Sequence, residues 1–138
     1  EYNPFLLDIE FNTMKQNKNL AKYLKTTKTK LLISGHDFKK TPSLTELKKK
    51  LNQMSKFSSN VKIVTTAKST EDSTRVLQLY SKKENINLIA FTMGNPGRVS
   101  RILSLYLGSP YIYVSLGKPV APGQFSLDEV KRIINLKN

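Results

Sequence analysis

Lys62 lies inside the apolar run Val61-Lys62-Ile63-Val64, where a lysine is out of character. Lysine is almost never fully buried unless it is paired or functional. An amine held in an apolar strand loses hydration, which disfavours its ammonium form. A neutral amine is the starting point for Schiff-base chemistry on a ketone. The same pattern also fits an edge-strand lysine whose stem lies on the sheet while its head reaches water. Other polar residues stand at the ends of neighbouring apolar runs. Glu10 closes Asp8-Ile9-Glu10, His36 stands in Ser34-Gly35-His36-Asp37-Phe38, and Arg101 follows Thr92-Met93-Gly94 in Val99-Ser100-Arg101. Each has a plain reading alone: a hydrogen-bonded structural histidine, a glutamate paired with one of many lysines, an arginine on a surface helix. Pro122 and Gly123, in Ala121-Pro122-Gly123-Gln124, can be ordinary loop punctuation. Together, a carboxylate, an imidazole and a buried amine on three successive strands can converge on one small molecule.

The elements that must position these groups follow from periodicity. Five short apolar runs recur, at 5–11, 31–34, 61–65, 88–93 and 111–116. Each is too short for a buried helix and reads as a strand buried on both faces. Helical patterns lie between them. Residues 17–25 carry Leu20, Ala21 and Leu24 on one face; 70–81 carry Val76, Leu77 and Tyr80; 97–107 carry Val99, Ile102, Leu103 and Leu105. Ser43 with Glu46, and Ser126 with Glu129, have the capping-box spacing that opens a helix. Strand–helix alternation implies an α/β fold with a parallel sheet and right-handed crossovers. A closed eight-unit barrel runs to about 250 residues, so five units do not close one. They form either an open doubly wound sheet or the C-terminal part of a barrel. In both, ligands bind at the C-terminal ends of the strands. No G-x-G-x-x-G or P-loop sequence supports a nucleotide site.

Composition narrows the chemistry. The length of 138 residues suits one domain, 1–138. The absence of cysteine excludes disulfides and thiolate metal sites, and a lone His36 excludes a histidine-based metal cluster. No run of 18 apolar residues is present, so no membrane partner is expected. The apolar stretch near Phe5 is short and lacks a basic leader, so the expected location is cytoplasmic. A start at Glu1 rather than methionine fits a processed or truncated product. The net charge of +13 raises nucleic-acid binding. Most lysines, however, fall in segments that read as outer helices, such as 15–30 and Lys48-Lys49-Lys50. No RNA-binding or helix-turn-helix signature is present, so a solvated lysine-rich surface is expected and a nucleic-acid partner is not.

The order of motifs resembles the type I 3-dehydroquinate dehydratases, the class I aldolase-like barrel enzymes of the shikimate pathway. The resemblance rests on Ser34-Gly35-His36-Asp37-Phe38 with Lys40-Thr41-Pro42, on Met93-Gly94 with Ser100-Arg101, and on Ala121-Pro122-Gly123-Gln124, set around Lys62. It covers the whole chain but only the C-terminal three-fifths or so of such an enzyme, which implies the last five units of a TIM (β/α)8 barrel. It also implies the residue roles. Lys62 matches the imine-forming lysine, His36 the proton-shuttling histidine and Glu10 the carboxylate that orients and tunes it. Arg101 matches the clamp on the substrate carboxylate, Gln124 a lid-loop contact, and Met93 and Tyr113 positions that line the site. The implied substrate is 3-dehydroquinate, with no metal or organic cofactor required. Val120 stands where the family has serine or threonine, and the family's E-x-R motif from its first three strands has no counterpart. A second reading, from another class, is a truncated or inactive barrel fragment serving as a binding or assembly module. Open sheet edges in five strands of a barrel lead to the expectation of a homodimer.

Overall fold

A computed structural model describes residues 4–24, 26–82 and 85–135. Its centre is a sheet of four parallel strands in sequential order: β1 (Leu6–Glu10), β2 (Lys30–Asp37), β3 (Asn60–Thr66) and β4 (Asn87–Met93). Two short helices, α1 (Phe11–Gln16) and α2 (Lys18–Leu24), join β1 to β2. Helix α3 (Leu44–Met54) joins β2 to β3, and α4 (Thr70–Leu77) with a 3-10 turn at Gln78–Lys82 joins β3 to β4. A 3-10 turn at Asn95–Gly97, α5 (Arg98–Tyr106) and α6 (Leu127–Asn135) complete the chain. This is the α/β architecture expected from the strand–helix alternation.

Period-two alternation divides the strands between two faces. Ile33, Val61, Ile63, Leu88 and Ala90 face the helices and form one core with Leu47, Leu51, Met54 and Val76. Leu32, Val64, Ile89, Phe91 and Met93 cluster on the opposite face. The register aligns Glu10 with Ser34, Ser34 with Lys62 and Lys62 with Ile89 across that second face. Glu10, Ser34 and Lys62 therefore form a polar row across the apolar sheet.

Two expectations require correction. Residues 111–116 do not form a fifth strand; Ser115 makes a single parallel bridge to Ser126 instead. The Ser115 N–H donates to the Phe125 carbonyl at 2.9 Å, and its own carbonyl accepts from Leu127 N–H at 3.0 Å. Those bonds tie the segment to the loop before α6 rather than to β4, while Ile112 and Val114 still pack on Ile102, Phe125 and Val130. Second, β1 is not buried on both faces: it is an edge strand, with Leu7 and Asp8 exposed. The helix expected over 17–25 is found as α2, with Lys25 outside the described residues. The one expected over 70–81 breaks into α4 and its 3-10 turn.

The join between β4 and α5 fixes the start of the helix that carries Arg101. The Ser100 hydroxyl donates to the Gly97 carbonyl at 2.6 Å and accepts the Thr92 N–H at 2.9 Å. Thr92 Oγ1 lies 2.8 Å from the Ser73 hydroxyl of α4, closing a buried network. Gly97 is required there, since a Cβ would lie 2.5 Å from Thr92 Oγ1 and 2.7 Å from its carbonyl oxygen.

Candidate active site

A cavity of about 220 Å³ opens at the C-terminal ends of the strands, lined by Lys62, His36, Met93, Arg101, Tyr113 and Gln124 together with Phe38 and Phe91. Six of the seven site residues expected from the sequence thus share one cavity. The seventh, Glu10, stands behind His36 rather than in the wall: its Oε1 makes a direct contact with His36 Nδ1 and accepts from the Ser34 hydroxyl at 3.3 Å. Glu10 occupies one ring nitrogen, leaving Nε2 to act on a ligand. Phe38 stacks on the imidazole with centroids 5.6 Å apart and planes 10° from parallel. Its loop is tied down by Asp37, whose Oδ1 accepts the N–H groups of Lys39 and Lys40 at 2.9 and 3.0 Å. Thr66 Oγ1 holds the Asp37 carbonyl at 3.0 Å.

Lys62 is 8% exposed. Its Nζ lies 2.7 Å from Asp8 Oδ2 and 4.8 Å from the centroid of the Tyr113 ring. Asp8 is the functional residue that sequence reasoning missed. Its signal was the two-residue spacing to Glu10, which puts both carboxylates on the same face of β1. Phe38 and Phe91 were also missed, because apolar residues at strand ends read as core.

Arg101 is 3% exposed. Its guanidinium carbon lies 4.4 Å from the centroid of the Phe91 ring, and Nη2 donates to the Pro122 carbonyl at 3.2 Å. Its Nε is buried without a hydrogen-bond partner. Burial pushes the guanidinium down to about 10, still a cation across the neutral range. A desolvated cation with an unused donor and, among the described residues, no carboxylate bound to it is built for an anionic group. The loop beside it is held by the same Pro122 carbonyl, which also accepts the Gly94 N–H at 3.2 Å. Gln124, 9% exposed, accepts the Val120 N–H on its side-chain carbonyl at 2.8 Å. Val120 therefore serves the site through its backbone while its side chain is exposed. A larger open cleft of about 530 Å³ lies on the other side of this loop, but its charged residues, Arg98 and Glu129, pair with each other at 2.5 Å.

The cavity thus presents a lysine amine beside a carboxylate, an imidazole oriented by a second carboxylate, and a buried cation. That set can form an imine, move a proton and hold an acid group. Among the described residues, no group of three or more histidine, aspartate or glutamate side chains could hold a metal ion, and no helix is long and apolar enough to cross a membrane.

Comparison with known proteins bears on the whole chain. The 3-dehydroquinate dehydratase of Pyrococcus abyssi is 38% identical over 137 residues, which is 99% of this chain and 62% of that protein. The enzyme of the same name from Thermococcus gammatolerans is 45% identical over 105 residues, covering 75% of this chain and 48% of the relative. The chain spans about three-fifths of the length of the first of these curated relatives. The crystal structure of 3-dehydroquinate dehydratase from Geobacillus kaustophilus superposes with a TM-score of 0.84 at 25% identity, over 95% of this chain and 52% of that one. That from Aquifex aeolicus gives 0.78 at 30% identity, over 96% and 60%. The strands described above thus correspond to part of the TIM barrel of these proteins. A family model described as type I 3-dehydroquinase matches residues 1–138, and the chain belongs to that family.

Proposed function

We propose that this chain carries the imine-forming part of a 3-dehydroquinate dehydratase, which eliminates water from 3-dehydroquinate to give 3-dehydroshikimate. The observation that carries the reading is the convergence of Lys62, His36 and Arg101 on one cavity at the ends of parallel strands. Residues 1–138 form a single partial-barrel domain, and a small soluble substrate suits a cytoplasmic enzyme.

The chemistry follows from the side chains. The substrate is a cyclic ketone with an acidic C–H beside the carbonyl and a hydroxyl one carbon further. Asp8, 2.7 Å from Nζ, accepts a proton from Lys62 and frees its lone pair. The amine adds to the ketone carbon, the carbonyl oxygen leaves as water, and an iminium remains. His36, held at Nδ1 by Glu10, removes the adjacent C–H proton through Nε2, and the electron pair moves to the iminium nitrogen. The enamine returns its electrons to expel the hydroxyl, which takes the proton from His36 and departs as water. Hydrolysis of the new iminium releases the unsaturated ketone and restores Lys62. Arg101 holds the substrate carboxylate, and Gln124 and Met93 close on the ring.

The test is the appearance of the conjugated enone, followed by its ultraviolet absorbance, when 3-dehydroquinate is added to the protein. Product formation that ends on Lys62→Ala supports the reading. Turnover undiminished by that substitution overturns it.

A further inference from the structure

The motif Lys40-Thr41-Pro42 has no part in the chemistry above, yet the chain between His36 and α3 runs through it. Phe38 lies flat on the His36 imidazole and is 74% exposed. A ring so exposed gains little from burial, so its pose is set by the backbone that carries it. The Asp37 carboxylate shapes that backbone locally, through the N–H groups of Lys39 and Lys40. Two threonines at the end of β3, Thr65 and Thr66, tie it to the sheet.

Thr66 Oγ1 donates to the Asp37 carbonyl at the start of the loop, at 3.0 Å. At the far end the bond runs the other way: Thr41 Oγ1 donates to the Thr66 carbonyl at 3.0 Å. That uses the one proton of the Thr41 hydroxyl, so the Thr65 hydroxyl, 2.8 Å away, donates to it. Thr65 is 1% exposed and Thr41 is half-buried, so water competes little for these bonds. The Thr41 carbonyl accepts from Arg75 Nη1 of α4 at 3.5 Å, and Arg75 is itself held by Asp72 at 2.7 Å. Pro42 biases Thr41 toward an extended backbone. The consequence falls on His36. Glu10 contacts its Nδ1, but one bonded nitrogen does not fix the plane of the ring. The stacked Phe38 fixes that plane, and with it the direction of Nε2.

We propose that Thr41 is a positioning residue of the candidate active site: its hydroxyl, bonded to the Thr66 carbonyl and the Thr65 hydroxyl, latches the loop 37–42 to β3 and so keeps Phe38 stacked on His36. Thr41 acts through Phe38 and touches no reacting atom. The catalytic consequence rests on the dehydratase reading above, while the latch itself does not.

The chain has one histidine, so its imidazole ring-proton signals are read without ambiguity, and a phenyl ring stacked on them displaces them upfield. Phe38→Leu gives the unstacked reference position. Thr41→Val keeps the shape of the side chain and removes its hydroxyl. Measured in the neutral imidazole, it is expected to move the His36 signals from the wild-type position toward that reference. Thr41→Ser keeps the hydroxyl and should stay near the wild type. Thr65→Val removes the donor behind the latch and should move the signals in the same direction as Thr41→Val. In turnover of 3-dehydroquinate, Thr41→Val is expected to lower kcat about tenfold, with KM changed less, and Thr41→Ser to restore most of the loss. His36 signals that stay at wild-type positions in folded Thr41→Val, or an undiminished kcat when they do move, overturn the proposal. If that variant does not fold, Thr65→Val decides by the same criterion. Absence of turnover in the wild type would instead count against the dehydratase reading, leaving the ring-proton signals to decide on Thr41.

Discussion

Arg101 is a cation stored against an apolar wall, with Phe91 under its plane and the Pro122 carbonyl accepting from Nη2. A lysine there keeps the charge but loses the planar fork that fits a carboxylate. Arg101→Lys is expected to raise KM about tenfold or more, since hydrogen bonds to charged groups contribute about 1.5–3 kcal/mol each. Steady-state kinetics check this, and an unchanged KM would place Arg101 outside substrate binding. His36→Ala should still form the imine but lose about 10²–10⁴-fold in elimination rate. Single-turnover kinetics separate the two steps, and a loss well below tenfold would make the imidazole structural. At this scale the sequence was legible where a residue type was out of place: a lysine in an apolar run, one histidine at a strand end. It was not legible where the partner came from distant chain. Asp8 and Lys62 meet across 54 residues.

The helices were read most securely from their caps. The Ser43 hydroxyl accepts the Glu46 N–H, and Glu46 reaches back to the Ser43 N–H at 2.9 Å. Ser126 and Glu129 repeat the arrangement at α6. These bonds are local in sequence, so local spacing encodes them. The segment 111–116 was misread because apolar, β-branched composition reports burial and not which backbone will supply hydrogen bonds. Ser43→Ala is expected to cost about 1 kcal/mol, measured by urea unfolding near neutral pH. The Ser43 hydroxyl and N–H hold Glu46 below its ordinary value of 4.5. A carboxylate lowered by folding stabilises the native state fully above its unfolded pKa, and this is lost as pH falls through the folded one. The cost of Ser43→Ala should therefore shrink on acidification from pH 7 to below 4. An equal cost at both would mean the capping box does not form.

Across the whole molecule, the parallel order β1-β2-β3-β4 leaves one side of β1 and one side of β4 without a strand among the described residues. Phe5, Phe38, Leu116 and Val120 are all more than two-thirds exposed. Unpaired edges invite pairing with another chain, and exposed apolar patches mark interfaces. The 138-residue chain by itself is therefore expected to associate with a second copy, in spite of its net charge of +13. Light scattering across a range of concentrations tests this, and a stable monomer throughout would contradict it. The partial barrel was legible from the strand–helix alternation and from a length short of eight units. That β4 would be an edge was not, because residues 111–116 are as apolar as a strand yet bond to the loop before α6.

The most direct measurement is capture of the imine. The protein is mixed with 3-dehydroquinate, reduced with borohydride and digested, and the peptide that carries Lys62 is weighed. The expected result is a stable mass gain at Lys62, a gain that disappears in Lys62→Ala. Turnover of 3-dehydroquinate with no mass gain at Lys62, or with the gain on another lysine, would contradict the assignment of this residue as the imine-forming amine.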